Sequence, residues 1–137
     1  MKTMRHQRRG GAAIEFALVL IPLLYILFGI IEYGWVFFQQ SNILAAAREG
    51  ARYGVTFSQT DTPTPGSAAT TRVQDVLATY NIDSGTASIT AVQSGTTPSE
   101  VLTVTVVVPY QPLIGFPGVV TPDNLTGTMT MLLELQD

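Results

Sequence analysis

Cysteine is absent from the 137 residues, so neither disulfides nor thiolate-bound metal can hold this chain together. Histidine occurs once, as His6 near the start, and no phosphate-cradling glycine motif is present. Charged side chains make up 12% of the sequence, where roughly 25% is usual for a soluble domain. The acids of the body stand singly, with no base or nucleophile placed beside them in a recognisable pattern. These scarcities point away from catalysis and from any bound cofactor or metal. Basic charge is scarce too, and it is badly spread. Lys2, Arg5, Arg8 and Arg9 fall in the first ten positions, while the remainder has three basic and ten acidic residues. An acidic body lacks the clustered Lys and Arg that bind phosphate backbones, so nucleic acid is not an expected partner.

The scarcity of charge is most pronounced in residues 16–31, which contain none, and an aromatic group of Tyr33, Trp35, Phe37 and Phe38 follows. As a helix, residues 16–38 would be about 34 Å long at 1.5 Å per residue, enough to cross a bilayer core of about 30 Å, with Tyr33 and Trp35 as an interfacial belt. The expected partner of this segment is the lipid bilayer. Four basic residues before the span, against Arg48 and Arg52 after it, place the N-terminus in the cytoplasm and the body outside. A cleaved secretory signal competes, with Ala45-Ala46-Ala47 as the small-residue site. Its apolar region would be about 7 to 15 residues long, however, and these alanines lie well beyond that, past bulky aromatics. Pro22 lacks an amide hydrogen and predicts a kink or local loosening of the span. Glu32 reads as an interfacial acid at the outer membrane edge rather than a proton relay.

After the span, residues 39–57 keep a helical composition, and Ala46, Gly50 and Gly54 recur every four residues on one face. Such a small-residue stripe admits close helix packing, against the chain's own domain or against another subunit. Residues 58–71 read as a loop from their Pro, Gly, Ser and Thr content. Residues 72–80 carry the apolar spacing of a short amphipathic helix. Residues 87–93, 101–110 and 127–135 read as strands, with the clearest alternation in VLTVTVVV. The fold class expected is α+β: a long N-terminal helix, a short second helix and a small antiparallel sheet of about three strands packed in layers. The expected organisation is a basic leader at 1–10, a transmembrane helix at 11–38, its extracytoplasmic continuation at 39–57 and a small α+β domain at 58–137.

Glu15 stands at the mouth of the apolar run, where a carboxylate calls for a partner. A cut between Gly10 and Gly11 would remove all four leading basic residues and make Glu15 the fifth residue, one helical turn from a new amine. Amine and carboxylate, in one chain or in neighbours, could then neutralise each other. A cut after Gly11 would instead make Glu15 the fourth; the first cut is expected.

A short basic leader, glycine, and an apolar helix with Glu at the fifth mature position resemble the processing signal of type IV pilins and pseudopilins. More specifically, the chain resembles the TadE-like proteins of the Tad/Flp tight-adherence pilus system. The resemblance lies in Gly10 and Gly11, Ala13-Ile14-Glu15-Phe16-Ala17, Pro22, Gly29, Glu32-Tyr33-Gly34 and Ala46-Ala47-Arg48-Glu49-Gly50-Ala51-Arg52-Tyr53. The later VTVVVPYQPLIGFPG resembles a strand-to-loop passage of such proteins. It implies a pilin-like fold and a minor subunit of the bacterial inner membrane, matured by a prepilin peptidase. Its implied partners are other pilin or pseudopilin subunits and the inner-membrane assembly platform. Adhesion, surface colonisation or secretion would follow, with the C-terminal domain periplasmic or extracellular, possible incorporation into a pilus included. Phe16, where major Flp pilins usually carry tyrosine, and the long body at 58–137 imply an accessory subunit rather than the bulk filament protein. The alternative is a permanently membrane-anchored extracytoplasmic binding module of the cell envelope, which would have no need of a cut.

Overall fold

The computed structural model describes residues 7–58, 60–96 and 99–133, with side chains from residue 11 onward. Most of the expected leader, residues 1–6, lies outside the described residues. The elements run α1 (Gln7–Gly54), α2 (Pro65–Thr79), β1 (Ser88–Ser94), β2 (Val101–Pro109) and β3 (Asn124–Leu132). This is the α+β class expected: one long helix, one short helix and a three-stranded antiparallel sheet in the order β1-β2-β3.

The chain divides into two units, Met1–Trp35 with Pro112–Thr121, and Val36–Gln111 with Pro122–Asp137. The second unit holds the sheet, α2 and the C-terminal stretch of α1. Its core follows from the period-two pattern of β2, whose Leu102, Val104, Val106 and Val108 are all buried. Buried alanines and small branched residues cover that face: Ile43, Ala46, Ala47 and Ala51 of α1, and Ala68, Ala69, Val73 and Leu77 of α2. The opposite sheet face is hydroxyl-rich, with cross-strand pairs Thr103–Thr130 at 3.0 Å and Thr105–Thr128 at 3.3 Å. Such pairs hold register without burying apolar area.

Three boundaries differ from the sequence reading. Residues 58–71 are not loop throughout, because α2 begins at Pro65 rather than at residue 72. Thr64 caps this helix by accepting from the Ser67 amide, and Pro65 occupies the first turn, where a missing N–H costs nothing. Thr64 and Pro65, inside the stretch expected to be loop, are thus a helix start. The long helix stops at Gly54 rather than continuing to 57, and Val55, Thr56 and Phe57 close it with backbone bonds to Ala51, Tyr53 and Gly54. The third strand begins at Asn124, opposite Pro109, so Asn124, Leu125 and Thr126 belong to the ladder. Its expected end, residues 134–135, lies outside the described residues.

The stripe of Ala46, Gly50 and Gly54 is buried within the second unit. A Cβ at Gly50 would collide with Val73, and one at Gly54 would lie 2.5 Å from Leu102 Cδ2 and 2.7 Å from the Pro65 carbonyl oxygen. Those neighbours belong to α2 and β2, so the missing side chains set how near α1 approaches them. Gly34, by contrast, has nothing within 4 Å of such a Cβ. Gly54→Ala should therefore destabilise the second unit by about 1–3 kcal/mol, the usual cost of overpacking. Gly34→Ala should leave stability unchanged or slightly raised, as the helix preference for alanine dictates. Thermal unfolding of the detergent-solubilised chain, followed by circular dichroism, checks this; equal melting of both variants would contradict the packing described.

Candidate functional site

The first unit joins α1 as far as Trp35 to residues 112–121, the connection between β2 and β3. In α1 the window long and apolar enough to cross a membrane has none of its residues buried. A helix with this much uncovered apolar surface needs a non-aqueous neighbour. α1 remains α-helical across Pro22. Glu15 lies exposed on the helix beside exposed Ile14 and Phe16. The described helix begins at Gln7, so Gly10 and Gly11 fall in its first turns.

Glu32 is where the structure departs most from the sequence reading. It does not face outward as expected of an interfacial acid: its relative exposure is 1%. One carboxylate oxygen, Oε1, accepts the Leu113 amide at 2.9 Å, and Oε2 accepts the Ile114 amide at 3.0 Å. Two successive backbone donors thus converge on the carboxylate like an anion-binding nest. One residue along, the Tyr33 hydroxyl donates to the Val120 carbonyl at 2.8 Å. Helix α1 therefore grips both ends of the loop through adjacent side chains, one accepting from the entering strand of backbone and one donating to the leaving strand.

Between those two grips the loop is fastened by aromatic contact. Phe116 sets its ring edge-on to Tyr25, with centroids 4.8 Å apart and planes at 79°, and lies 4.9 Å from the Phe28 ring. Tyr25, Phe28 and Glu32 are spaced by three and four residues and so share a helix face. Tyr25 is about 10 Å further along the axis than Glu32, at 1.5 Å per residue. Gly118 makes this descent possible: its φ of +91° is a conformation that side-chain-bearing residues rarely adopt. A Cβ there would also sit 3.3 Å from Tyr25 Cε1. Glu32, Phe116, Gly118 and Thr121 are among the residues around an open recess of about 260 Å³ under the loop.

The energetics favour the clasp. A hydrogen bond to a charged group contributes about 1.5–3 kcal/mol, and aromatic pairs add about 0.5–1.5 kcal/mol each. The amides give a buried carboxylate two donors on an apolar helix, and the carboxylate gives them acceptors in an apolar loop.

The sequence reading missed this site. It singled out Glu15, Gly10, Gly11, Pro22 and the stripe Ala46, Gly50 and Gly54, and none of these forms the clasp. The available signal was the stretch 101–122, which carries no Asp, Glu, Lys or Arg and includes PLIGFPGVV, too apolar for an ordinary hairpin connection. An acid buried on the first helix and an uncharged loop far along the chain are each odd alone and explain one another together.

Residues 10–52 match the family model described as TadE-like protein, the family whose resemblance the sequence motifs carry. No curated protein and no solved structure matches the chain. Glu32 and Tyr33 fall inside the matched segment; the loop they hold does not.

Removing the carboxylate should free the loop. In Glu32→Ala the Leu113 and Ile114 amides lose their acceptor, at a cost of about 1–3 kcal/mol for each buried donor left unsatisfied. Their hydrogen exchange should accelerate while that of β2 stays slow. Glu32→Gln, which retains one good acceptor oxygen, should fall between the two. Unchanged exchange at both amides in Glu32→Ala would show that the carboxylate does not hold the loop.

Proposed function

We propose that this chain, whose residues 10–52 form a TadE-like segment, is a minor pilin-like subunit serving assembly of a Tad/Flp-type pilus. The observation that carries the proposal is the extent of the family match. It begins at Gly10, takes in Glu15 and the apolar helix, and runs on to residue 52, well past the length a simple anchor requires. In this account a prepilin peptidase removes the basic leader, the helix holds the subunit in the inner membrane, and the body faces away from the cytoplasm. The subunit then joins other pilin-like subunits and the assembly platform, and its downstream role is adhesion, surface colonisation or secretion. Its work is assembly, not catalysis.

Two features of α1 fit that sequence of events. Because Gly10 and Gly11 lie within the described helix, a peptidase acting after Gly10 has to unwind that stretch. Adjacent glycines make that easier, each being about 0.8–1.0 kcal/mol less favourable than alanine in a helix. Glu15 is exposed on α1, so its carboxylate is available to an amine created by the cut. Deleting one member of such a buried pair costs about 3–5 kcal/mol, enough to abolish assembly.

Three variants expressed in the native host test the proposal by intact mass and by co-purification with pilus components. Gly10→Leu should retain the leader. Glu15→Ala and Glu15→Gln should mature and stay in the membrane but fail to co-purify. An unmodified chain that keeps Met1 in its native membrane would instead identify a permanently anchored envelope module. Glu15 variants that co-purify normally would remove the pairing step.

A further inference from the structure

We propose that the loop Pro112–Thr121 lies at the outer edge of the bilayer with Phe116 among lipid acyl chains, so that the protein meets the bilayer through a second, non-helical element beside α1. The inference rests on α1 spanning a membrane, as in the proposed function. Crossing the hydrocarbon core takes about 20 consecutive residues. Counted from Gly11, the first residue clear of the basic leader, that length ends near Ile30, so Tyr25 and Phe28 lie inside it. Phe116 packs on both of those rings. If the membrane instead ended below the loop, at Leu24, only about 21 Å of helix would remain to cross about 30 Å. Phe116 therefore shares the depth of the span it contacts, while Leu113 and Val120, tied to Glu32 and Tyr33 just past Ile30, stand near its edge.

Its chemistry suits that depth. Residues 101–122 hold no charged side chain, and Leu113, Ile114 and Val120 are 53%, 43% and 80% exposed on a connection where polar residues are usual. Irregular backbone that faces lipid is not tolerated in the hydrocarbon core, so most of this loop has to stay in the hydrated interface, with part of its backbone matched by the protein itself. Pro112 and Pro117 have no N–H to match. The Leu113 and Ile114 amides are taken by Glu32, the Val119 amide by the Phe116 carbonyl, and the Val120 carbonyl by Tyr33. The exposed apolar groups continue the uncovered surface of α1 within the same unit, which makes acyl chains the occupant rather than a separate docking partner.

The absence of cysteine allows a direct test. Full-length chains carrying Leu113→Cys, Val120→Cys, Ile26→Cys or Thr90→Cys are reconstituted into phosphatidylethanolamine and phosphatidylglycerol vesicles. Each is assayed for reaction with a membrane-impermeant maleimide and, after fluorophore attachment, for quenching by brominated acyl chains. Residues 113 and 120 are expected to be quenched by the lipid, less strongly than residue 26, and to react slowly with the maleimide, while residue 90 reacts freely and is not quenched. Reaction at 113 and 120 as fast as at residue 90 and without quenching, with residue 26 still quenched, places the loop in water and overturns the proposal. Protection without quenching means that protein, such as a second copy, covers the loop, and overturns it as well. Reaction at residue 26 itself means that α1 does not span, and both the span and the immersion fall together.

Discussion

A carboxylate on an apolar helix must find donors, and the donors that Glu32 finds are two backbone amides more than eighty positions further along the chain. That requirement shapes the first unit. It fixes where the β2–β3 connection leaves α1, and with Tyr33 it closes both ends of a ten-residue loop onto adjacent residues of the same helix. Phe116 can then reach Tyr25 and Phe28 because the loop's two ends are already anchored above them. Without the carboxylate, the amides of Leu113 and Ile114 would have to find water, and an apolar loop that must find water would leave the helix.

The second unit solves a different problem by the opposite means. It has no disulfide and few large core residues, so its cohesion comes from close approach. Gly50 and Gly54 let α1 meet α2 and β2 at distances that even one methyl group would prevent. Alanines on both helices then cover the valine face of β2. Such a core gains by dispersion contacts between small groups what it lacks in bulky side chains. The two units thus use polar matching in one and bare backbone in the other.

Much of this was legible in the sequence, and what was missed shares a cause. The long helix, the β2 alternation and the Ala46, Gly50 and Gly54 face announced themselves because they are periodic, and period is a local property. The start of α2 was hidden because Thr64 and Pro65 are ambiguous: the same pair opens a turn or caps a helix, and only the bond to the Ser67 amide decides. The early start of β3 was hidden because Asn124 reads as a turn residue until Pro109 is seen opposite it. Glu32 was misread for the deepest reason. Its partners are backbone amides, which leave no mark in a sequence, and they are supplied by a distant loop. Glu15 drew attention through its place in a processing pattern, whereas Glu32 lay in equally apolar surroundings and needed a partner just as much.

The account stands on the clasp between Glu32 and the two amides, and a distance measured in a bilayer tests it most directly. Solid-state NMR of the full chain in lipid, with ¹³C at the Glu32 carboxylate and ¹⁵N at Leu113 and Ile114, reports that separation through dipolar dephasing. Oxygen-to-nitrogen distances of 2.9 and 3.0 Å predict rapid dephasing of the Glu32 carboxylate signal by each nitrogen in turn. A carboxylate signal left undephased by either nitrogen, in a sample whose helix is otherwise intact, would contradict the clasp and the loop placement that depends on it.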